Sequence, residues 1–441
     1  MAWAVQDSPA VGTTDVDDDA TWLATLDLCD LDRFAQGFPH DTFDRLRRVA
    51  PVWWHPPTPN TPDGEGFWCV TRHADVLTVV RDPETFSSES GPGRDGNGGT
   101  TLVDMPAGFV TGVMMNMTDP PAHRRIRSIT QAAFTPRTIA RLDDWLRALA
   151  EQLVGDALDA CSDEGTVDVL TDVAAELPLQ TIAQLMGVPQ SDRHQLFEWT
   201  STILDYGDRS LTEITDEYAA AGLGLRAYGD ATIAERRTTV ARHGAAIDGD
   251  LLGQVLAADP PLSPEEEQAF FSLLFTAGSE TTRNSIAGGV HAFVERPGEW
   301  RRLVDDRSLL PTAVEEILRW TSATAYNRRT ATRDVELGGQ RIAAGQKVAH
   351  WYPSANRDES VFADAGRFDV GRSPNPHLAF GHGIHHCLGA ALARRELTVM
   401  FEVLADRVDE FESTGPIEWG RSNKHTSIRH LPVRLVPKGS S

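Results

Sequence analysis

Apolar residues recur at steps of three and four through the middle of the chain, from Pro120 to about His291. Examples are LDDWLRALAEQLVGDAL, DVAAELPLQTIAQLMG and PEEEQAFFSLLFTAG. That period puts them on one face of a helix, so helix is predicted to dominate the middle third. LLPTAVEEILRWTS reads as a further helix, and CLGAALARRELTVMFEVLADRV as a long one beginning at Cys387. Earlier in the chain, FPHDTFDRLRRVAPVWW reads as helix then strand, and GFWCVT with RHADVLTVVRD as strand then helix. Towards the C-terminus, RTATRDVELGGQRIAAGQKVAHWYPSANRD alternates like short strands joined by Gly-containing turns, and RHLPVRLVP reads as a last strand. Between Ser87 and Asn116 the chain is glycine-rich and too long for a simple connection, which marks a functional loop. The fold class that follows is mainly α with a smaller β region.

Composition narrows this picture. No Pro/Ser/Gly linker or charge block divides the 441 residues, and no internal repeat is visible. A single domain is therefore expected over residues 38–437, after a partly flexible N-terminal leader, 1–37. KGSS at 438–441 reads as a tag remnant. The net charge of −23 argues against nucleic acid or an anionic membrane as partner. No stretch approaches the roughly 18 apolar residues of a membrane span, and the acidic start lacks the features of a secretory signal, so a cytoplasmic protein is expected. Lys347, Lys424 and Lys438 are the only lysines. The four cysteines, Cys29, Cys69, Cys161 and Cys387, are widely spaced, which disfavours both a disulfide framework and a cysteine-rich zinc site.

Cys387 stands apart. It ends the glycine-broken segment Phe380-Gly381-His382-Gly383-Ile384-His385-His386-Cys387-Leu388-Gly389, at the predicted helix start. Helix N-terminal amides favour a thiolate there, and Gly381, Gly383 and Gly389 permit close backbone approach to a flat ligand. Taken alone, the residues also allow an ordinary buried cysteine. A zinc site from His382, His385, His386 and Cys387 is a poorer fit, because ligands so crowded along the chain cannot easily face one tetrahedral ion.

The pattern F-G-x-G-x-H-x-C-x-G resembles the haem-ligand signature of the cytochrome P450 family. The resemblance runs from about Phe38 to Pro437, with four motifs in family order, and implies the cytochrome P450 fold. Its implied cofactor is haem b (iron protoporphyrin IX), with Cys387 as the metal ligand and Phe380, Gly381 and Gly389 in the surrounding loop. Ala277-Gly278-Ser279-Glu280-Thr281-Thr282 is similar to the family's central helix. Ala277 would lie against dioxygen, and Glu280 and Thr281 would be the catalytic pair that delivers protons inside a pocket excluding water. On the residues alone, threonines in a helix more commonly bond back to the preceding turn. His123 and Arg127 in DPPAHRRIR, Arg329 and His385 match the family's partners for the two haem propionates, as charge-assisted donors. Glu316 and Arg319, three apart on one helix face, match its buried structural pair, and Arg372 is expected to join them.

The resemblance implies monooxygenation: O₂, two electrons and two protons enter, and a hydroxylated product and water leave. Since the chain shows no flavin or nicotinamide fingerprint, electrons are expected from a ferredoxin and ferredoxin reductase. Arg124, Arg125, Arg394 and Arg395 would form a proximal docking patch on a monomeric enzyme. AGSETTRNSI, WYPSANRDESVFAD and NPHLAFG are similar to actinobacterial members that oxidise sterols and methyl-branched or isoprenoid lipids, which implies a large apolar small-molecule substrate. His382, Ile384 and Ser322-Ala323 depart from that group, leaving a biosynthetic role on a terpenoid, polyketide or peptide-derived metabolite, including oxidative coupling, as the alternative. A haem-thiolate protein that binds ligands without turnover is the reading from another class, and the Glu280-Thr281 pair speaks against it. Walls and lid are expected from residues 87–116 and Phe197–Tyr228.

Overall fold

A computed structural model describes residues 14–108, 110–162, 165–204, 207, 209–243 and 251–439. The fold is organised around one helix, Pro264–Glu295, which at 1.5 Å per residue extends for about 48 Å. Ser263 and Glu266 close a capping box at its start, and most of its residues are buried on all sides, as a helix that is surrounded must be. Gly288 and Gly289 let neighbours come close: a Cβ at Gly288 would lie 2.5 Å from Thr321, and one at Gly289 2.6 Å from Phe401. Helices Leu310–Thr321 and Ala390–Arg407 thereby pack directly on the central helix, with Asp143–Ala160 and Glu176–Met186 completing the body. DVAAELPLQTIAQLMG, predicted as one helix, begins as a π-turn over Val169–Ala174 before the α-helix starts at Glu176.

The smaller β region is a five-stranded sheet in the order Val52–His55, Phe67–Val70, Lys347–Trp351, Tyr326–Ala331, Phe86–Ser87. Phe67–Val70 and Lys347–Trp351 run parallel and the other pairs antiparallel, with Arg329 opposite Val348. The C-terminal strand Pro432–Pro437 pairs with Val408–Ser413 and Val167–Asp168.

Two expectations change here. Part of the expected leader, residues 26–34, packs into the molecule: Leu26, Leu28, Leu31 and Phe34 are buried, and His55 Nε2 accepts the Leu28 N–H at 2.9 Å. Residues 1–13 and the last two of the supposed tag lie outside the described residues. The long C-terminal helix begins at Ala390, with Gly389 as its N-cap, and not at Cys387. Among the described residues no helix is long and apolar enough to cross a membrane.

Candidate functional site

The loop before Cys387 is shaped by its backbone. Gly383 has φ +72°, and a Cβ there would sit 2.4 Å from the Val80 carbonyl, so only glycine fits against helix His73–Arg81. His382 caps Gly383 N–H through Nδ1 at 2.7 Å and lies 3.3 Å from the Arg81 guanidinium. The Cys387 N–H donates to the Phe380 carbonyl at 2.9 Å, which closes the loop and points the thiol into the interior. Burial pushes the Cys387 thiol up, whereas the Gly389 N–H and the charges of Arg127 and Arg394 favour the thiolate. The loop histidines do not gather at the sulphur as a zinc site would require, since His382 is tied to Arg81 and His385 lies against His123, ring centroids 4.3 Å apart.

A cavity of about 910 Å³ opens above this loop. It brings together Cys387, His123, Arg127, Arg329, His385, Phe380, Gly381, Gly389, Ala277 and Thr281, ten of the eleven residues predicted for the site. Glu280 is the exception and does not line the cavity. Its buried carboxylate is paired with Arg283 and accepts from Asn284 Nδ2 at 2.8 Å. Consecutive helix residues point about 100° apart, and with Thr281 on the cavity the Glu280 carboxylate is taken to the side where Arg283 and Asn284 lie.

Whether these residues suit a haem can be judged from their unmet bonding capacity. Both ring nitrogens of His123 and Nε2 of His385 are buried without a hydrogen-bond partner. Arg329 is buried, donates to the Arg328 carbonyl at 2.9 Å, and like Arg127 makes no ion pair among the described residues. Burial, together with the neighbouring guanidinium groups, holds His123 down to about 4 and His385 down to about 2. Four cation-capable groups thus converge without an ion pair among the described residues, a deficit that the two propionates of a haem would supply. Around Gly389 a Cβ would meet nothing within 4 Å, which leaves room for a flat group beside the thiol. The site fits.

Structural support comes from the buried Glu316–Arg319 pair, both fully inaccessible to solvent. Arg319 donates to Glu316 at 2.7 and 2.8 Å and to the carbonyls of Asn356, Ala365 and Arg367. Arg372 joins as expected, its Nε 3.0 Å from Glu316 Oε2. Ser322, which departs from the family pattern, sits in the left-handed region at φ +42° and accepts from Asn356 Nδ2 at 2.8 Å, while Ala323 lines the cavity.

The proposed docking patch is largely neutralised. Arg125 pairs with Glu266, Arg394 with Glu315 at 2.6 Å and Arg395 with Asp143 at 2.7 Å, whereas Arg124 is exposed. The walls come from the predicted segments, with Thr100, Val103 and Met114 from one and Ile203, Leu211 and Leu225 from the other; Phe109, Asp205, Tyr206 and Asp208 lie outside the described residues. Lys424 was not anticipated as a cavity residue. Burial and the nearby Arg329 and Arg328 bring its ammonium down to about 7, and it donates to Thr100 O, Tyr326 O and Asn327 Oδ1 at 2.7 to 3.0 Å. Its only sequence signal is that lysine is rare in this chain.

Comparison with known proteins agrees with the geometry. Residues 109–407 match the family described as cytochrome P450. The chain is 49% identical over 423 residues to a provisional cytochrome P450 126 of Mycobacterium tuberculosis, covering 94% of this chain and 99% of that one. It is 40% identical over 420 residues to a methyl-branched lipid omega-hydroxylase of the same organism, covering 93% and 95%. Among solved structures, a Mycobacterium marinum cytochrome P450 in complex with pseudoionone superposes with a TM-score of 0.79 at 33% identity, covering 90% of this chain and 94% of that one. The thiol-floored cavity, the unanswered cations beside it and these likenesses have one explanation: the chain belongs to the cytochrome P450 family.

Proposed function

We propose that this haem-thiolate monooxygenase binds haem b through Cys387 and hydroxylates a large, lipid-like or isoprenoid substrate in the cytoplasm, with electrons from a ferredoxin and its reductase. The observation that carries the reading is the single cavity onto which the Cys387 thiol, the unanswered His123, Arg127, Arg329 and His385, and the Thr281 hydroxyl all open. When bound, haem supplies dioxygen activation, with the thiolate donating electron density that favours O–O cleavage.

The chain's own residues do the rest. His123, Arg127, Arg329 and His385 would hold the two propionates and so orient the group in the cavity. The Gly389 N–H, bonding the Cys387 sulphur, favours the thiolate against the burial that pushes the thiol up. Thr281 Oγ1 donates to the Ala277 carbonyl at 2.9 Å and can accept a proton-bearing group from the cavity. Glu280 serves a proton relay only when its pair with Arg283 opens. Leucine, methionine and phenylalanine side chains make up much of the wall and exclude water from the reacting carbon. An apolar substrate is supported by that lining, by the relative named as a methyl-branched lipid omega-hydroxylase and by the pseudoionone bound to the solved relative.

The test is the absorption spectrum of the reduced, carbon-monoxide-bound protein. The thiolate-type red-shifted Soret band is expected in the wild type, and Cys387→His is expected to lose it. A histidine-type band in the wild type overturns the assignment. A low-to-high-spin shift on adding branched-chain fatty acids or terpenoid ketones is expected to identify the substrate class.

A further inference from the structure

The wall of the cavity carries a polar group that the protein leaves unanswered. Asn116 lines the cavity, and its Oδ1 is buried without a hydrogen-bond partner. Buried amide oxygens are almost always paired, so an unpaired one on a cavity-lining residue is an acceptor that a ligand donor reaching past the surrounding side chains would satisfy. Its surroundings are distinctive. Four of the chain's seven methionines, Met105, Met114, Met115 and Met117, fall between 105 and 117, and all four line the same cavity. Thioethers are polarisable and conformationally adaptable, and they make favourable contacts with aromatic rings.

The backbone beneath this wall is held firmly. Gly98 and Met105 exchange N–H···O bonds of 3.1 and 2.8 Å, and the Met117 N–H donates to the Met114 carbonyl at 2.7 Å. At Gly99 a Cβ would lie 2.8 Å from Met117 Sδ, so glycine makes room for the thioether. Arg94 binds Glu65 and Asp104, and Arg328 also binds Asp104; both guanidinium groups are buried. The segment that carries the amide is therefore held in place, while the methionine side chains around it can adapt.

We propose that Asn116 is the polar anchor of the substrate site. Its ligand is an otherwise apolar molecule whose aromatic or conjugated segment lies on the methionines and whose single hydroxyl or amide N–H donates to Asn116 Oδ1. The proposal rests on the monooxygenase reading and deepens it by naming the substrate class. An anchored donor also selects which C–H bond is presented, because it fixes one end of a molecule that apolar walls alone would let slide.

The test uses 4-phenylphenol, 4-methoxybiphenyl and 4-cyclohexylcyclohexanol, with binding to the holoenzyme measured by equilibrium dialysis. The wild type is expected to bind 4-phenylphenol about tenfold or more tighter than the methyl ether, the difference one well-placed hydrogen bond makes. In Asn116→Leu the two should fall within about twofold of each other, with the reduced carbon-monoxide band unchanged. Replacing Met105, Met114 and Met117 by leucine should narrow the preference for 4-phenylphenol over 4-cyclohexylcyclohexanol and leave the hydroxyl preference in place. Equal wild-type affinity for phenol and ether, an unchanged ratio in Asn116→Leu, or no binding of any of the three to protein with the thiolate band overturns the proposal. Loss of that band from the wild type overturns instead the reading beneath it.

Discussion

Thr281 meets two demands with one hydroxyl. Its bond to the Ala277 carbonyl is the ordinary behaviour of threonine in a helix, yet the same oxygen borders the cavity and keeps its lone pairs for a donor there. Thr281→Ala should therefore lower product formed per NAD(P)H by about tenfold or more, with the missing electrons recovered as hydrogen peroxide; full coupling in the variant refutes the role. Cys387, Phe380, Gly381 and Gly389 could be picked out because their types and spacing follow one short loop motif, and the structure brings all four to one cavity. The orientation of Glu280 could not, because it depends on Arg283 and Asn284 taking its carboxylate once the central helix is buried. Asn116 escaped notice for a similar reason: nothing in MMNMTDPP says that one amide is left without a partner.

At the scale of elements, the decisive feature is how helix Leu310–Thr321 is joined to the cysteine loop and to the helix that follows it. Glu315 accepts from Arg394 at 2.6 and 2.9 Å and lies 3.0 Å from His377 Nε2. Burial raises its carboxyl, but the bonds from His377 and Arg394 outweigh that and hold it at about 2, against an ordinary 4.5. A carboxylate held low in the fold stabilises it fully above the ordinary value, and that contribution is lost as pH falls from about 4.5 towards 2. Thermal unfolding midpoints measured between pH 6 and pH 3 should accordingly fall more steeply for the wild type than for Glu315→Gln; parallel curves would show that the pair does not couple to folding. The spacing of Glu316 and Arg319 was visible in the sequence, as was the helix that carries them. Their complete burial and their carbonyl partners were not, since Asn356, Ala365 and Arg367 arrive from a distant segment. The start of the last helix was misplaced because Cys387 bonds back to Phe380, which leaves Gly389 to act as the cap.

Across the whole molecule, the net charge of −23 would repel the acidic ferredoxin proposed above unless a local basic patch receives it. With Arg125, Arg394 and Arg395 engaged by carboxylates, Arg124 is the member of the predicted patch left exposed. Arg124→Glu is expected to slow reduction by an acidic ferredoxin about two- to fivefold at low ionic strength, converging on the wild-type rate in high salt. An unchanged rate at low salt would remove Arg124 from the docking surface. Arg394→Glu is a less specific test, because it also breaks the contact with Glu315 that supports the proximal loop.

Sequence alone determined the helical body with its smaller β region and the family, and it picked out the cysteine and the cation-capable residues that the structure gathers at one cavity. Each follows from short-range periodicity or from residue types at fixed spacing. Tertiary structure decided which charges are spent within the protein and which remain for a ligand or partner: Glu280 is engaged, the patch arginines are mostly neutralised, and His123, Arg329 and Asn116 keep unanswered atoms. The physical reason is that bonding capacity is a balance between segments far apart in sequence, settled only when packing brings them together and removes the water.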